Sequence, residues 1–226
     1  MTQLLALLLS LLSALSVSID TLTSDLSLGG NLMLVNRQYV LDASYEPDDL
    51  VKPKVKNDSS SILMRAEAAR ALEEMFAAAE KEKGFRLIAS SGYRSYRTQE
   101  LIFERKVKNT GSRQKAMLLV ATPGASEHQL GLAMDVKCPS VSNLHPNFAK
   151  TKEGQWLHEN AHRFGFIIRY KEEWTEITGY SYEPWHVRYV GKEHAQAIYQ
   201  LNIPLEEYIE TLRAITQDEY LKGNLP

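Results

Sequence analysis

The chain has 226 residues, of which 44% are hydrophobic and 24% are charged, so it can form one well-buried domain but not two large ones. The formal net charge is −2, and no block rich in lysine and arginine occurs. This balance argues against nucleic acid as a partner. The single cysteine, Cys138, excludes an internal disulfide framework and a C-x-x-C metal knuckle.

The N-terminus differs in kind from the rest of the chain. Residues 3–19 form a leucine-rich run without a charge, which is typical of the hydrophobic part of a signal peptide or of a short membrane anchor. No lysine or arginine precedes this run, and a buried N-terminal helix is the alternative. We therefore predict a signal peptide or anchor over residues 1–19, a linker over 20–30 and a domain over 31–226. Export from the cytoplasm follows from this division.

The remaining pattern predicts helices and strands in irregular alternation. Residues 31–41 are typical of a first strand, and apolar residues spaced by three and four predict a helix over 60–83 that Gly84 ends. No internal repeat and no G-x-G-x-x-G loop occurs, so we expect an α+β domain with a small, mostly antiparallel sheet. Further helices are expected over 95–111, 112–121, 156–164 and on both sides of Pro204, and further strands over 85–95, 131–136, 166–170 and 184–190.

The sequence HENAH, at residues 158–162, matches the H-E-x-x-H pattern by which a helix binds zinc. On a helical wheel, however, Leu157 and Ala161 mark the core face, and both histidines point about 120–140° away from it. The glutamate of the motif is expected to pair with Arg163 on that outer side. The longer motif also fails, because Ile168 stands where a third histidine is required. We therefore predict a surface helix with solvated histidines.

A stronger group of potential metal ligands lies in two other segments. His128 follows a proline-glycine loop, and Asp135 lies in an otherwise apolar strand, where a carboxylate is costly unless it is paired or binds a metal. His186 alternates with apolar neighbours in a later strand, just after Glu183 and Pro184. Two histidines and a carboxylate supply three zinc ligands and leave a fourth position open, as in catalytic sites.

Two ordered signatures contain these residues: S-x-H-x-x-G-x-A-x-D at 126–135 and E-x-W-H at 183–186. The signatures resemble those of the zinc D-alanyl-D-alanine carboxypeptidases of the VanY type, within the lysostaphin, D-Ala-D-Ala peptidase and hedgehog superfamily. Segments 91–99, 156–166 and 167–191 resemble further parts of that family, so the likeness covers about residues 31–195. It implies the hedgehog/D-Ala-D-Ala peptidase fold, a small antiparallel sheet flanked by helices.

The resemblance also implies a site. His128, Asp135 and His186 would hold Zn²⁺, and Glu183 would take a proton from the attacking water and pass it to the leaving amine. Arg94 would place a positive charge on either the oxyanion or the terminal carboxylate of the substrate.

Three further residues match family positions near the substrate. Gln99, one helical turn beyond Arg94, would assist that arginine, and Ser126 and Tyr170 would line the pocket. The implied partner is a peptidoglycan stem peptide, bound by a monomeric enzyme that is secreted or attached to the membrane through residues 3–19.

The leading expectation is a D,D-carboxypeptidase that removes the terminal D-alanine. An L,D-carboxypeptidase or a wall endopeptidase could use the same zinc site. A zinc-containing cell-wall binding module without turnover is the alternative from another class. The presence of Glu183 argues against that module, because a structural zinc needs no base.

Overall fold

The computed structural model describes residues 2–59 and 62–221. The described strands are β1 (Leu50–Val51), β2 (Met64–Arg65), β3 (Ile88–Ser91), β4 (Ala133–Lys137), β5 (Phe166–Tyr170) and β6 (Glu183–Tyr189). The described α-helices are α1 (Thr2–Ala14), α2 (Ile19–Leu26), α3 (Ala66–Lys83), α4 (Tyr96–Thr110), α5 (Arg113–Leu119), α6 (Lys152–Asn160), α7 (Thr175–Thr178), α8 (Lys192–Leu201) and α9 (Leu205–Leu221).

The main sheet has four antiparallel strands in the order β3-β4-β6-β5, and β1 and β2 form a separate two-stranded ribbon. The predicted α+β class with a small antiparallel sheet is therefore confirmed. The two central strands, β4 and β6, pair so that Asp135 stands opposite His186. This register places a predicted carboxylate ligand beside a predicted histidine ligand.

The two faces of the sheet have different chemistry because side chains alternate along a strand. Met134 and Val136 of β4, with Val187 of β6, belong to a hydrophobic core that also contains residues of α3 and α6. Asp135 and His186 point to the opposite face. Gly84 ends α3 in the left-handed conformation, at φ 68°, as predicted.

A second hydrophobic cluster joins the N-terminal segment to the end of the chain. Leu8 and Leu12 of α1 are buried against α8 and α9, and Leu22 of α2 is buried in the same cluster. The stretch that the sequence suggests as a linker, residues 20–30, thus contains most of a helix. Among the described residues, no helix combines the length and apolarity needed to cross a bilayer. The division into leader, linker and domain stays a prediction.

Three predicted elements are corrected by the structure. Residues 31–41 form no strand, because their backbone groups bond to turns and loops: the Leu41 amide donates to the Gly124 carbonyl, and the Asn36 side chain accepts from two following amides. The helix predicted from residue 60 begins at Ala66, after strand β2, and residues 60 and 61 lie outside the described part. The helix predicted over 156–164 is α6 followed by a 3₁₀ turn, Ala161–Phe164.

The packing of α1 predicts a difference between two neighbouring leucines. Leu8 is fully buried, whereas Leu7 is 52% exposed. We expect Leu8→Ala to lower the free energy of unfolding of the full chain by about 2–5 kcal/mol. Leu7→Ala, the matched control, should change it by less than about 0.5 kcal/mol. Chemical denaturation followed by circular dichroism measures both, and equal values for the two variants would show that α1 does not pack on the domain.

Candidate active site

The three predicted metal ligands come together on the polar face of the sheet. His128 lies in a 3₁₀ turn, Glu127–Leu130, whereas Asp135 and His186 lie on the paired strands β4 and β6. All three side chains are buried, and one potential ligand atom from each lies within 4.8 Å of the others. Over residues 2–59 and 62–221, no other group of three histidine, cysteine or acidic side chains is arranged in this way.

The environment of His128 is suited to a neighbouring cation. Its Nδ1 contacts the Gly92 carbonyl oxygen at 2.7 Å and must donate to it. Burial, with the nearby charge of Arg94, lowers the pKa of His128 to about 4, so the ring is neutral and Nε2 carries a lone pair. That lone pair is buried without a hydrogen-bond partner, 3.4 Å from Asp135 Oδ2. Two acceptors that face each other in this way repel unless a cation lies between them.

His186 faces the same point with its other ring nitrogen. Its Nδ1 lies 3.1 Å from Asp135 Oδ1, and its Nε2 lies 3.3 Å from Glu127 Oε2. Burial alone would lower the pKa of His186, but the hydrogen bonds to these two carboxylates raise it to about 9. The site therefore favours positive charge, and its donor set of two imidazoles and one carboxylate suits Zn²⁺.

Glu183 stands at the start of β6, next to this group. One of its carboxylate oxygens, Oε2, lies 3.9 Å from Nδ1 of His186, and its side chain remains partly exposed. Burial raises the pKa of Glu183 to about 7, against the attraction of His186. A carboxyl group with a pKa near neutrality, at the edge of a cleft, is suited to exchange protons with a substrate.

Arg94 is held on the other side of Asp135. Its guanidinium donates to Gln99 Oε1 at 3.0 Å and reaches Asp135 Oδ2 at 3.5 Å. Gln99 is itself fixed, because its amide donates to the Ala121 carbonyl at 2.7 Å. The Nε of Arg94 is buried and has no partner in the protein. Gln99 thus orients a cation that keeps unused hydrogen-bond donors.

A single cavity of about 270 Å³ connects these groups. Tyr170 lies beside His186, with ring centroids 4.9 Å apart, and Ser126 is buried at the start of the turn that carries His128. A larger cavity, of about 670 Å³, lies between α2, α3 and α8 and contains none of the predicted site residues. The eight predicted residues that line the smaller cavity are Arg94, Gln99, Ser126, His128, Asp135, Tyr170, Glu183 and His186.

An ionic cluster that the sequence patterns did not indicate lies directly behind the predicted metal ligands. Glu127 is fully buried, and its Oε1 accepts from Arg169 Nε and Arg188 Nη1, each at 2.8 Å. Burial alone would raise the pKa of the Glu127 carboxyl, but Arg169 and Arg188 hold it well below its ordinary value. Arg169 also forms a bidentate pair with Glu206 of α9, at 2.6 and 2.9 Å. The available signal was the presence of an arginine in each of two apolar strands, because a charged residue in such a strand needs a partner. Asp135 gave the same kind of signal in β4.

The HENAH helix contributes no metal site in the structure. His158 is exposed as predicted, but His162 is half-buried and stacks on Tyr199 at 3.7 Å between centroids, so the prediction that both histidines are solvated is wrong for His162. The predicted pair between Glu159 and Arg163 is also wrong. Arg163 pairs instead with Glu82, at 2.7 Å, because α3 passes beside this turn.

Comparison with known proteins places this geometry in a family. Residues 61–192 match the family model described as VanY, D-alanyl-D-alanine carboxypeptidase. The Bacillus subtilis protein YodJ is 49% identical over 189 residues, which cover 81% of this chain and 68% of YodJ.

Two solved structures are similar over most of the chain. The LdcB LD-carboxypeptidase shares 49% identity with a TM-score of 0.74, covering 79% of this chain and 85% of LdcB. The D,D-pentapeptidase VanY from a VanB-type resistance cassette, solved in complex with Zn(II), shares 38% identity with a TM-score of 0.65. That match covers 79% of this chain and 98% of the VanY chain.

The geometry predicts which histidines a metal needs. We expect the double variant His158→Gln/His162→Gln to bind one zinc ion per chain, like the unaltered protein, because neither ring faces the cluster. His128→Ala should lose that ion, because it removes one of three converging ligands. Metal analysis after dialysis measures the zinc content of both variants. Loss of zinc from the double variant alone would show that the metal binds at the HENAH segment.

Proposed function

Because the chain belongs to the VanY family of D-alanyl-D-alanine carboxypeptidases, we propose that it is a zinc-dependent peptidase that releases the terminal D-alanine of peptidoglycan stem peptides. The observation that carries this proposal is the convergence of His128, Asp135 and His186 beside Glu183 in one cavity. Within such a cavity the side chains can divide the work of metal binding, proton transfer and charge stabilisation.

His128, Asp135 and His186 would hold the metal. The unpartnered Nε2 of His128 and the carboxylate of Asp135 suit a cation, which can replace the proton on the facing nitrogen of His186, and the related VanY structure contains Zn(II). When bound, zinc supplies a Lewis acid that polarises the scissile carbonyl and makes water more acidic near neutral pH.

Glu183 would move the proton. Its carboxylate lies close enough to His186 Nδ1 to face a water at the centre of the cluster, and its partial exposure leaves it access to the substrate. As the water oxygen bonds to the scissile carbonyl carbon, a Glu183 oxygen can take its proton and deliver it to the amine nitrogen when the C–N bond breaks, which releases free D-alanine. An alanine or glutamine at this position can do neither.

Arg94 would bind the negative charge of the substrate. Its free Nε and the hydrogen bond that Gln99 accepts from its Nη1 present a fixed guanidinium to the cavity. A terminal carboxylate is the substrate feature that distinguishes a carboxypeptidase, and a guanidinium can bind it in a bidentate manner. Ser126 and Tyr170 would line the pocket around the terminal residue.

Two cleavage sites fit this proposal, and both release D-alanine. Cleavage between two D-alanines of a pentapeptide is the first candidate, because the matching family is that of D-alanyl-D-alanine carboxypeptidases and the zinc-bound VanY is a D,D-pentapeptidase. Cleavage of an L,D bond in a tetrapeptide is the second, because LdcB, an LD-carboxypeptidase, shares 49% identity.

Peptidoglycan lies outside the cytoplasmic membrane, so we propose that the protein acts there. We also propose that it acts as a monomer. Secretion or anchoring through residues 3–19 remains a proposal from the sequence alone.

The roles proposed for Glu183 and His128 predict different losses when each residue is replaced. We expect Glu183→Gln to lower the rate of D-alanine release by about 10²–10⁴-fold and to keep the zinc, because only the proton acceptor is removed. His128→Ala should lose both zinc and activity. Glu176→Gln, which changes an exposed carboxylate on α7, is the matched control and should keep both.

Mass spectrometry of defined pentapeptide and tetrapeptide products, with and without a chelator, measures these effects and identifies the bond that is cut. Full activity of Glu183→Gln would overturn the mechanism. Zinc binding without hydrolysis of either peptide would favour the non-catalytic module.

The role of Arg94 predicts a dependence on the substrate terminus. We expect Arg94→Ala to lower kcat/KM for the free acid peptide by at least about 100-fold, and to have a much smaller effect on the amidated peptide, which lacks the carboxylate. Arg97→Ala, which removes an exposed arginine from the first turn of α4, the helix that follows Arg94, should change neither rate. If Arg94→Ala slows both substrates by the same factor, the guanidinium acts on the oxyanion instead.

A further inference from the structure

The carboxylate of Glu127 has three neighbours but contacts only one metal ligand. Its Oε1 accepts hydrogen bonds from Arg169 and Arg188, and its Oε2 lies 3.3 Å from Nε2 of His186. All four side chains are buried, with Glu127 1% exposed and both arginines fully buried. The contact with His186 is therefore shielded from water, which cannot take over the role of either partner.

The arginines fix which way the carboxylate faces. Guanidinium groups are donors only, so the oxygen that lies between Arg169 and Arg188 must remain an acceptor. Arg188 is itself held by the backbone carbonyls of Asn31 and Met33, each at 2.9 Å. Arg169 is held by the bidentate pair with Glu206. Rotation of Glu127 away from His186 would break these bonds.

We propose that Glu127 is a positioning residue that keeps the proton of His186 on Nε2 and so leaves Nδ1 free to bind the metal. This inference rests on the proposed metal site. An ionised carboxylate can only accept, so the nitrogen facing it must carry hydrogen. Nδ1 also faces a carboxylate, that of Asp135, but Asp135 and His128 would bind the same ion, so there the metal can take the place of the proton. Glu127 is not part of that ligand group, so the proton between it and Nε2 stays, and Nδ1 supplies the lone pair that binds zinc.

Glutamine at position 127 tests this directly, because an amide has one acceptor and one donor end. The two arginines would force the amide oxygen toward themselves, since an NH₂ group there would meet two donors. The NH₂ group would then face His186 Nε2 and favour hydrogen on Nδ1, the nitrogen that the metal requires. The variant keeps the size of the side chain and inverts the hydrogen bond.

Glu206→Gln is the matched control. It removes the same negative charge from the same ionic cluster, but Glu206 contacts Arg169 and Asn36 and does not touch His186. A merely structural role of the cluster would give the two variants similar effects on metal binding. A positioning role would separate them.

The measurement is zinc affinity of the full chain by competition with a chromophoric chelator. We expect Glu127→Gln to weaken zinc binding by about 10–100-fold, and Glu206→Gln to change it by less than about threefold. Nitrogen-15 NMR of histidine-labelled, zinc-loaded protein should show a protonated Nε2 and a metal-bound Nδ1 for His186. Equal weakening by both variants, or zinc bound through Nε2 of His186, would overturn the proposal.

The test does not depend on one variant folding. If circular dichroism shows that Glu127→Gln is unfolded, the NMR assignment in the unaltered protein still decides the tautomer. Glu127→Asp, which keeps an acceptor, should then bind zinc more tightly than Glu127→Ala. Failure of the proposed function itself is distinguishable, because zinc affinity and the histidine signals are read without any substrate.

Discussion

The site depends on a single buried carboxylate being balanced by positive charge. An isolated ionised carboxyl group inside a protein costs many kcal/mol, and Glu127 is tolerated because Arg169 and Arg188 donate to it at 2.8 Å. Glu127 precedes His128, whereas the arginines lie on β5 and β6. The ionic cluster thus connects the turn that carries His128 to β5 and to β6, the strand that carries His186. Loss of either arginine would leave an uncompensated charge beneath the site.

The same ionic cluster also contacts residues that lie early and late in the sequence. The carbonyls of Asn31 and Met33 accept from Arg188, and Glu206 on α9 pairs with Arg169, although the family model matches only residues 61–192. The segment that contains these two carbonyls is also buried through apolar side chains, since Leu32 and Val35 belong to the two hydrophobic clusters. The segment is therefore held by apolar packing and by carbonyl groups that accept from an arginine of the sheet, without pairing as a strand.

The sequence predicted the sheet, most helices and the convergence of eight side chains, because those signals are local or are carried by ordered motifs. Asp135 stood out since a carboxylate in an apolar strand needs a partner. Arg169 and Arg188 carry the same signal, but their common partner lies in a short turn, some forty to sixty residues earlier, and no local pattern joins them. His162 was predicted to be solvated because a helical wheel contains no other helix, and its partner Tyr199 lies on α8.

An irregularity in the sheet also decides what Glu183 can do. Residues three apart in a regular strand point to opposite faces, so an E-x-W-H sequence in flat β-structure would separate Glu183 from His186. The pairing of β5 with β6 shifts, however: Ile168 stands opposite Val187, whereas Tyr170 stands opposite Glu183. Two extra residues in β6 bend this strand and turn Glu183 toward His186, to 3.9 Å. The proximity of base and ligand is therefore a property of the bulge, and spacing in the sequence alone does not produce it.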